Sequence, residues 1–148
     1  MIRELSANDL QSLVRLYGDL HESDSDAASG ETLLSVWETI EADLGIRYLG
    51  LFAGKNLVSA CDIGLIPYLI RGGRPYALNE NVVPDRLCRG CGYGRKVLEA
   101  AWRFAWDRNC YKVMLMTSRH DEGTSDFCES AGFKRHEKEA FIARPRTS

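Results

Sequence analysis

The sequence predicts an α/β (α+β) domain, one mixed central β-sheet flanked by helices. Hydrophobic spacing alternates along the chain between two-residue and three-to-four-residue steps, in the order β-α-α-β-β-β-α-β-α-β with room for one more strand. Three alternating glycines, Gly90, Gly92 and Gly94, join a strand-like segment directly to a helical one. Lys112 to Thr117 is a continuous apolar run, the pattern of a buried strand.

Ile2 to Leu5 alternates and reads as an edge strand. Ser6 with Asp9 resembles a shortened capping box ahead of a helix on which Leu10, Leu13, Val14, Leu16, Tyr17 and Leu20 recur at helical steps. After the polar stretch 22–26, a second helix follows Gly30, with Leu33, Leu34, Trp37, Ile40 and Leu44 on one face. Ile46 to Ala53 and Leu57 to Ile66 are strands around the turn Gly54-Lys55-Asn56. Pro67 to Gly73 closes a longer hairpin, and Tyr76 to Val83 returns as a strand. A helix from Gly92 to Asn109 buries Val97, Leu98, Ala101 and Ala105. The strand at Lys112 to Thr117 leads to a short helix, Thr124 to Ala131, stopped by Gly132 at its C′ position. Phe133 to Ala143 has the pattern of one or two final strands.

A chain of 148 residues without linkers, repeats or biased segments reads as a single domain, 1–148. Its net charge of -2 argues against a nucleic-acid partner, which needs a basic field. No apolar run approaches a membrane span, and Met1-Ile2-Arg3-Glu4 lacks the plan of a signal peptide, so the expectation is a cytoplasmic protein. Five cysteines, an odd number, read as free thiols. Cys88 and Cys91 form a Cys-x-x-Cys pair, but a zinc ribbon needs a second pair, and no metal is expected.

The glycine loop carries the chemistry. Glycines let backbone N–H groups approach a large group closely, and a helix N-terminus adds unpaired N–H groups with a partial positive charge. Together they cradle a phosphate or pyrophosphate. A dinucleotide loop of the form Gly-x-Gly-x-x-Gly fits poorly, because Arg95 stands where its third glycine belongs and no acidic residue follows at the end of the next strand. Gly94-Arg95-Lys96 likewise lacks the Gly-Lys-Ser/Thr ending of a nucleotide-triphosphate loop.

Arg89-Gly90-Cys91-Gly92-Tyr93-Gly94 satisfies every position of Arg/Gln-x-x-Gly-x-Gly/Ala, the pyrophosphate loop of the GNAT superfamily of N-acyltransferases. Glu80-Asn81-Val82-Val83 lies where that family places the strand that bends open for acyl-CoA. Phe127-Cys128-Glu129-Ser130-Ala131-Gly132-Phe133 resembles its Phe-Tyr-x-x-x-Gly-Phe helix end. The resemblance covers nearly the whole chain and implies the GNAT fold, with acetyl-CoA (coenzyme A) as the cosubstrate.

By that resemblance, Gly90 and the backbone N–H groups of Cys91, Gly92, Tyr93 and Gly94 hold the pyrophosphate, with Arg89 and Arg95 nearby. The pantetheine arm pairs along Val82, Val83 and Pro84, and an amide near Val82 faces the thioester carbonyl. Pro84 departs from the pattern, having no N–H to donate. An amine needs a base to become a nucleophile. Glu80 fills that role or else pairs with a hairpin arginine, while Asn79 and Asn81 sit on the other side of the strand. The family's general-acid tyrosine is replaced by Cys128, read as a weaker acid or a buried filler, with Tyr93 and Tyr111 as weak substitutes. Tyr17, His21, Glu22, Trp37, Tyr68, Arg71 and Arg74 fall on the elements that shape the acceptor site in the family.

The implied function is N-acetyl transfer from acetyl-CoA to the primary amine of a small molecule or peptide, by direct transfer in a ternary complex, in a possible homodimer. Cys128 and Pro84 motivate the alternative, a non-catalytic acyl-CoA-binding regulatory module.

Overall fold

The computed structural model describes residues 1–18, 28–84, 87, 90–117 and 122–146. The chain divides into two units, Met1–Ser118 and Arg119–Ser148.

The first unit holds β1 (Ile2–Glu4), α1 (Leu10–Gly18), α2 (Gly30–Ala42), β2 (Ile46–Ala53), β3 (Asn56–Ile66), β4 (Tyr76–Asn79), β5 (Val82–Pro84), α3 (Tyr93–Asp107) and β6 (Val113–Leu115). The strands form one mixed sheet in the order β1-β2-β3-β4-β6, with β5 also paired to β3. All pairs are antiparallel except β4 with β6.

Strand β3 is the spine, and its period-two alternation separates two cores. Ala60 faces a cluster with Leu13 and Leu16 of α1 and Trp37 of α2. Cys61 and Ile63 face the other side, against Val97, Ala101, Phe104 and Ala105 of α3. The predicted stripe of α3 is buried as expected, joined by Gly94 and Phe104. Gly50 permits the close approach of Leu5 and Leu57, since a Cβ there would overlap both side chains.

Several expectations are corrected. The Ser6–Asp9 capping box forms as expected, the Asp9 carboxylate accepting the Ser6 N–H at 2.8 Å, but the first helix opens with a 3₁₀ turn, Ala7–Asp9; Leu20 lies outside the described residues. Leu34 and Leu44 are exposed, because the stripe packed on the core runs through Leu33, Trp37 and Ile40, and Leu44 follows the helix end. Strand β6 is shorter than Lys112 to Thr117 and half-buried, because among the described residues it ends the sheet and pairs on one side only. The predicted strand Tyr76 to Val83 is two strands, β4 and β5, with Glu80 and Asn81 outside the ladder. The carboxylate of Asp62 takes the N–H groups that a continuous strand would have paired with backbone carbonyls.

The second unit contains α4 (Glu122–Ser130). Gly132 closes it as predicted, at φ 102°, with Gly132 N–H donating to Glu129 O and Phe133 N–H to Cys128 O. The expected strands in Phe133 to Ala143 are not formed among the described residues, and Phe141 and Ile142 are exposed. A strand needs a partner ladder, and the described residues of this unit offer none.

Candidate active site

The glycine loop enters α3 with no intervening turn. Gly90 and Gly92 have φ of 83° and 75°, a region that L side chains avoid. Among the described residues, adjoining ones aside, no atom lies within 4 Å of where a Cβ would stand at either glycine, so both backbones front open space there. Gly92 is the N-cap of α3, and its carbonyl accepts the first helical bond from Lys96 N–H at 3.2 Å. Helix geometry leaves the N–H groups of Tyr93, Gly94 and Arg95 without partners in the helix. Cys91 is exposed and Gly94 buried. Arg95 pairs with Glu99 at 3.1 Å. Arg89 and Cys88 lie outside the described residues. The loop fits an anionic group: a glycine backbone faces open space beside a helix N-terminus.

The break between β4 and β5 sits on the same sheet. β4 follows the upper part of β3, Gly64–Ile66, and is held on its far side by β6. β5 follows the lower part, Ser59–Cys61. Among the described residues nothing pairs with the other edge of β5, so that edge offers backbone groups to an extended chain. Val82 is half-buried in the α3 core and Val83 is buried against α1.

Glu80 is exposed at the break. Arg71 lies over the Tyr111 ring, and Arg74 donates to the carbonyls of Asn109 and Cys110, so neither hairpin arginine is directed at Glu80. Asn79 is fully buried and donates through Nδ2 to the carbonyl of Asp62. Asn81 does not share that environment, because the broken ladder turns its Nδ2 to the Asp62 carboxylate at 2.9 Å.

On the α1/α2 side stand Tyr17, Trp37, Tyr48 and Asp62. Tyr48 is opposite Asp62 in the β2–β3 register, and the edge of Tyr48 meets Trp37 at 5.7 Å between centroids. Burial pushes both tyrosines above their ordinary range. The Tyr48 hydroxyl and Asp62 act in the same direction on Tyr17, as Asp62 and Glu80 do on Tyr48. Two carboxylates and two neutral phenols therefore share this face; both Asp62 oxygens are taken by Glu80 and Asn81, which leaves exposed Glu80 as the carboxylate open to a cation. His21 and Glu22 lie outside the described residues. Tyr68 and Tyr111 stack at 5.9 Å and Tyr76 meets Tyr68 edge-on, fixing the hairpin base.

Sequence reasoning missed Asp62 and Tyr48. Period two along β2 and β3 could have placed both on the α1/α2 side, but their pairing depends on register. A separate cavity of about 420 Å³, bordered by Ser12, Arg15, Lys55, Asn56 and Leu87, lies between α1 and the β2–β3 turn. Cys128, in α4, is half-buried, and burial followed by the Glu129 charge pushes its thiol up.

A sequence profile of the acetyltransferase (GNAT) family matches residues 11–133. A glucosamine 6-phosphate N-acetyltransferase of Trypanosoma brucei brucei is 28% identical over 139 residues, covering 93% of this chain and 91% of the relative. A solved structure from Agrobacterium tumefaciens str. C58, assigned as an acetyltransferase, is 35% identical with a TM-score of 0.89, covering 97% of this chain and 99% of its own. An acetyltransferase structure from Trypanosoma brucei is 27% identical with a TM-score of 0.82, covering 97% and 99%. With the mixed sheet and the loop–helix cradle, these matches establish that the chain belongs to the acetyltransferase (GNAT) family and is an N-acetyltransferase enzyme.

Proposed function

We propose that this chain transfers the acetyl group of acetyl-CoA to the primary amine of a small molecule, by direct attack in a ternary complex, and that residues 1–148 act as one domain. The match at 11–133 spans both units, which supports the single-domain reading. The observation that carries the function is the pair of left-handed glycines, Gly90 and Gly92, fronting open space at the start of α3.

In this reading Gly90 to Arg95, with Arg89, hold the pyrophosphate, and the free edge of β5 at Val82 and Val83 aligns the pantetheine amides. Acetyl-CoA, when bound, supplies the activated thioester. A backbone N–H near Val82 accommodates the developing oxyanion. The acceptor reaches the face of Tyr17, Tyr48 and Glu80 as an ammonium. Glu80 removes a proton from it, directly or through a water, so that the amine nitrogen can form the new C–N bond. The C–S bond then breaks, the nitrogen gives up its second proton to solvent, and the thiolate takes up a proton. Cys128 is the candidate donor, a thiol made a weaker acid by burial and the Glu129 charge.

The similarity to glucosamine 6-phosphate N-acetyltransferase makes that amino sugar the first acceptor to try. Calorimetry and thermal shift with acetyl-CoA, CoA, NAD and ATP, with Gly92→Trp as the blocked control, test the loop; mass spectrometry of acetylated acceptor tests the transfer. Tight acetyl-CoA binding lost in Gly92→Trp, with acetylation of an amine, supports the reading. A larger shift with NAD or ATP overturns it.

A further inference from the structure

The sharpest local anomaly of the sheet is the break at Glu80–Asn81, and one side chain closes it. Asp62 lies within β3, where a carboxylate is disfavoured by β-propensity. Its Oδ1 accepts the N–H of Glu80 at 3.1 Å and of Asn81 at 3.3 Å, and its Oδ2 accepts Asn81 Nδ2 at 2.9 Å. The Asp62 N–H donates back to Asn81 O at 3.3 Å, and the Asp62 carbonyl accepts Asn79 Nδ2. Three consecutive residues, Asn79, Glu80 and Asn81, are thus bonded to a single residue across the sheet. Two backbone N–H groups that a regular ladder would satisfy are satisfied by a carboxylate, which lets the chain leave the ladder without orphaned donors.

We propose that Asp62 is a positioning residue for acetyl transfer. Its carboxylate substitutes for the missing ladder, fixes the backbone on which Glu80 stands, and keeps β4 and β5 divergent. This rests on the reading of Glu80 as the base. Asp62 acts as a hydrogen-bond acceptor, and its charge takes no part in the chemistry.

The last point separates the outcomes. In Asp62→Ala both N–H groups lose their acceptor. In Asp62→Asn the amide oxygen still accepts both, and the amide NH₂ can donate to Asn81 once the Asn81 carboxamide turns over. Three quantities are read: backbone hydrogen exchange at Glu80 and Asn81, kcat with the amine acceptor, and the Kd of acetyl-CoA by calorimetry. Asp62→Ala should raise exchange at both N–H groups about tenfold or more. It should also lower kcat by roughly 10²-fold, the cost of a misplaced catalytic group. The Kd should stay within about threefold, because β5 keeps its own pairing to β3 and the glycine loop is untouched. Asp62→Asn should stay within about fivefold of wild type in exchange and kcat, since the acceptor is kept. If Asp62→Ala does not fold, Asn81→Ala, which removes only the 2.9 Å bond, should lower kcat by about three- to tenfold.

The proposal is overturned if Asp62→Ala (or Asn81→Ala in its place) leaves exchange and kcat at wild-type values. It is equally overturned if kcat and acetyl-CoA affinity fall together, or if Asp62→Asn is as inactive as Asp62→Ala, which would make the charge itself the working part. Wild-type protein that acetylates no amine removes the acetyl-transfer reading and the catalytic half of this one. Exchange at Glu80 and Asn81 still decides whether Asp62 holds the break.

Discussion

Arg3 grips the carboxylate of Asp9 with both guanidinium nitrogens, at 2.8 and 2.9 Å, tying β1 to the turn that opens α1. The Arg3 hydrogen bonds, helped by the Ser6 N–H, outweigh partial burial and hold Asp9 at about 2, below its ordinary 3.8. A carboxylate whose folded pKa is lowered stabilises the fold above its unfolded value and loses that contribution as pH falls through the folded one. Urea midpoints measured from pH 5 to 2 should fall for wild type between about pH 4 and 2. Asp9→Asn should be less stable at pH 5 and flatter through that window. Parallel curves would show that the grip contributes nothing.

Glu80→Gln keeps the size and the backbone bond to Asp62 and removes only the ability to take a proton. General-base loss should lower kcat/KM for the amine by about 10²- to 10³-fold. Acetyl-CoA binding, made by the loop and β5, should be unchanged in calorimetry. A variant with wild-type turnover would rule Glu80 out as the base.

The loop and α3 were legible because their signals are local. Gly90, Gly92 and Gly94 stand at fixed spacing, and the stripe Val97, Leu98, Ala101 and Ala105 needs only the helical period. The resemblance implied a bend at Glu80 to Val83, but what holds it was not legible, because it is Asp62, a partner seventeen to nineteen residues earlier for Asn79 to Asn81. Alternation placed Asn79 and Asn81 on one side, and the broken ladder separates them. Tyr48 was overlooked for a related reason: its meeting with Asp62 depends on the β2–β3 register, which residue spacing within either strand does not contain. Phe133 to Ala143 shows the opposite failure. An alternating pattern states what a strand would bury, but not whether a neighbouring strand exists to pair with it.

The C-terminal end of α3 has its own constraint. Asn109 has φ 63°, with Asn109 N–H donating to Trp106 O and Cys110 N–H to Ala105 O, while Arg74 binds the carbonyls of Asn109 and Cys110. This is a left-handed helix end that glycine or asparagine accepts and a β-branched residue resists. Asn109→Gly should be neutral or up to about 1 kcal/mol more stable, and Asn109→Val about 1–2 kcal/mol less stable, in chemical denaturation. Equal stability of the two would mean that the turn relaxes out of the left-handed region.

Cys91 offers a probe of the cradle that does not require turnover. It is exposed between Gly90 and Gly92, whereas Cys61 and Cys110 are buried. Burial pushes the Cys61 thiol up to about 12 and raises that of Cys110, so neither supplies thiolate at neutral pH. Alkylation of native protein followed by peptide mass spectrometry should therefore label Cys91 and spare Cys61 and Cys110. If the pyrophosphate lies against this loop, acetyl-CoA at about ten times its Kd should slow Cys91 labelling roughly tenfold, in proportion to occupancy. NAD at the same concentration should not. Saturating acetyl-CoA that leaves the Cys91 rate unchanged would place the cosubstrate away from Gly90–Gly94, whatever activity the enzyme shows.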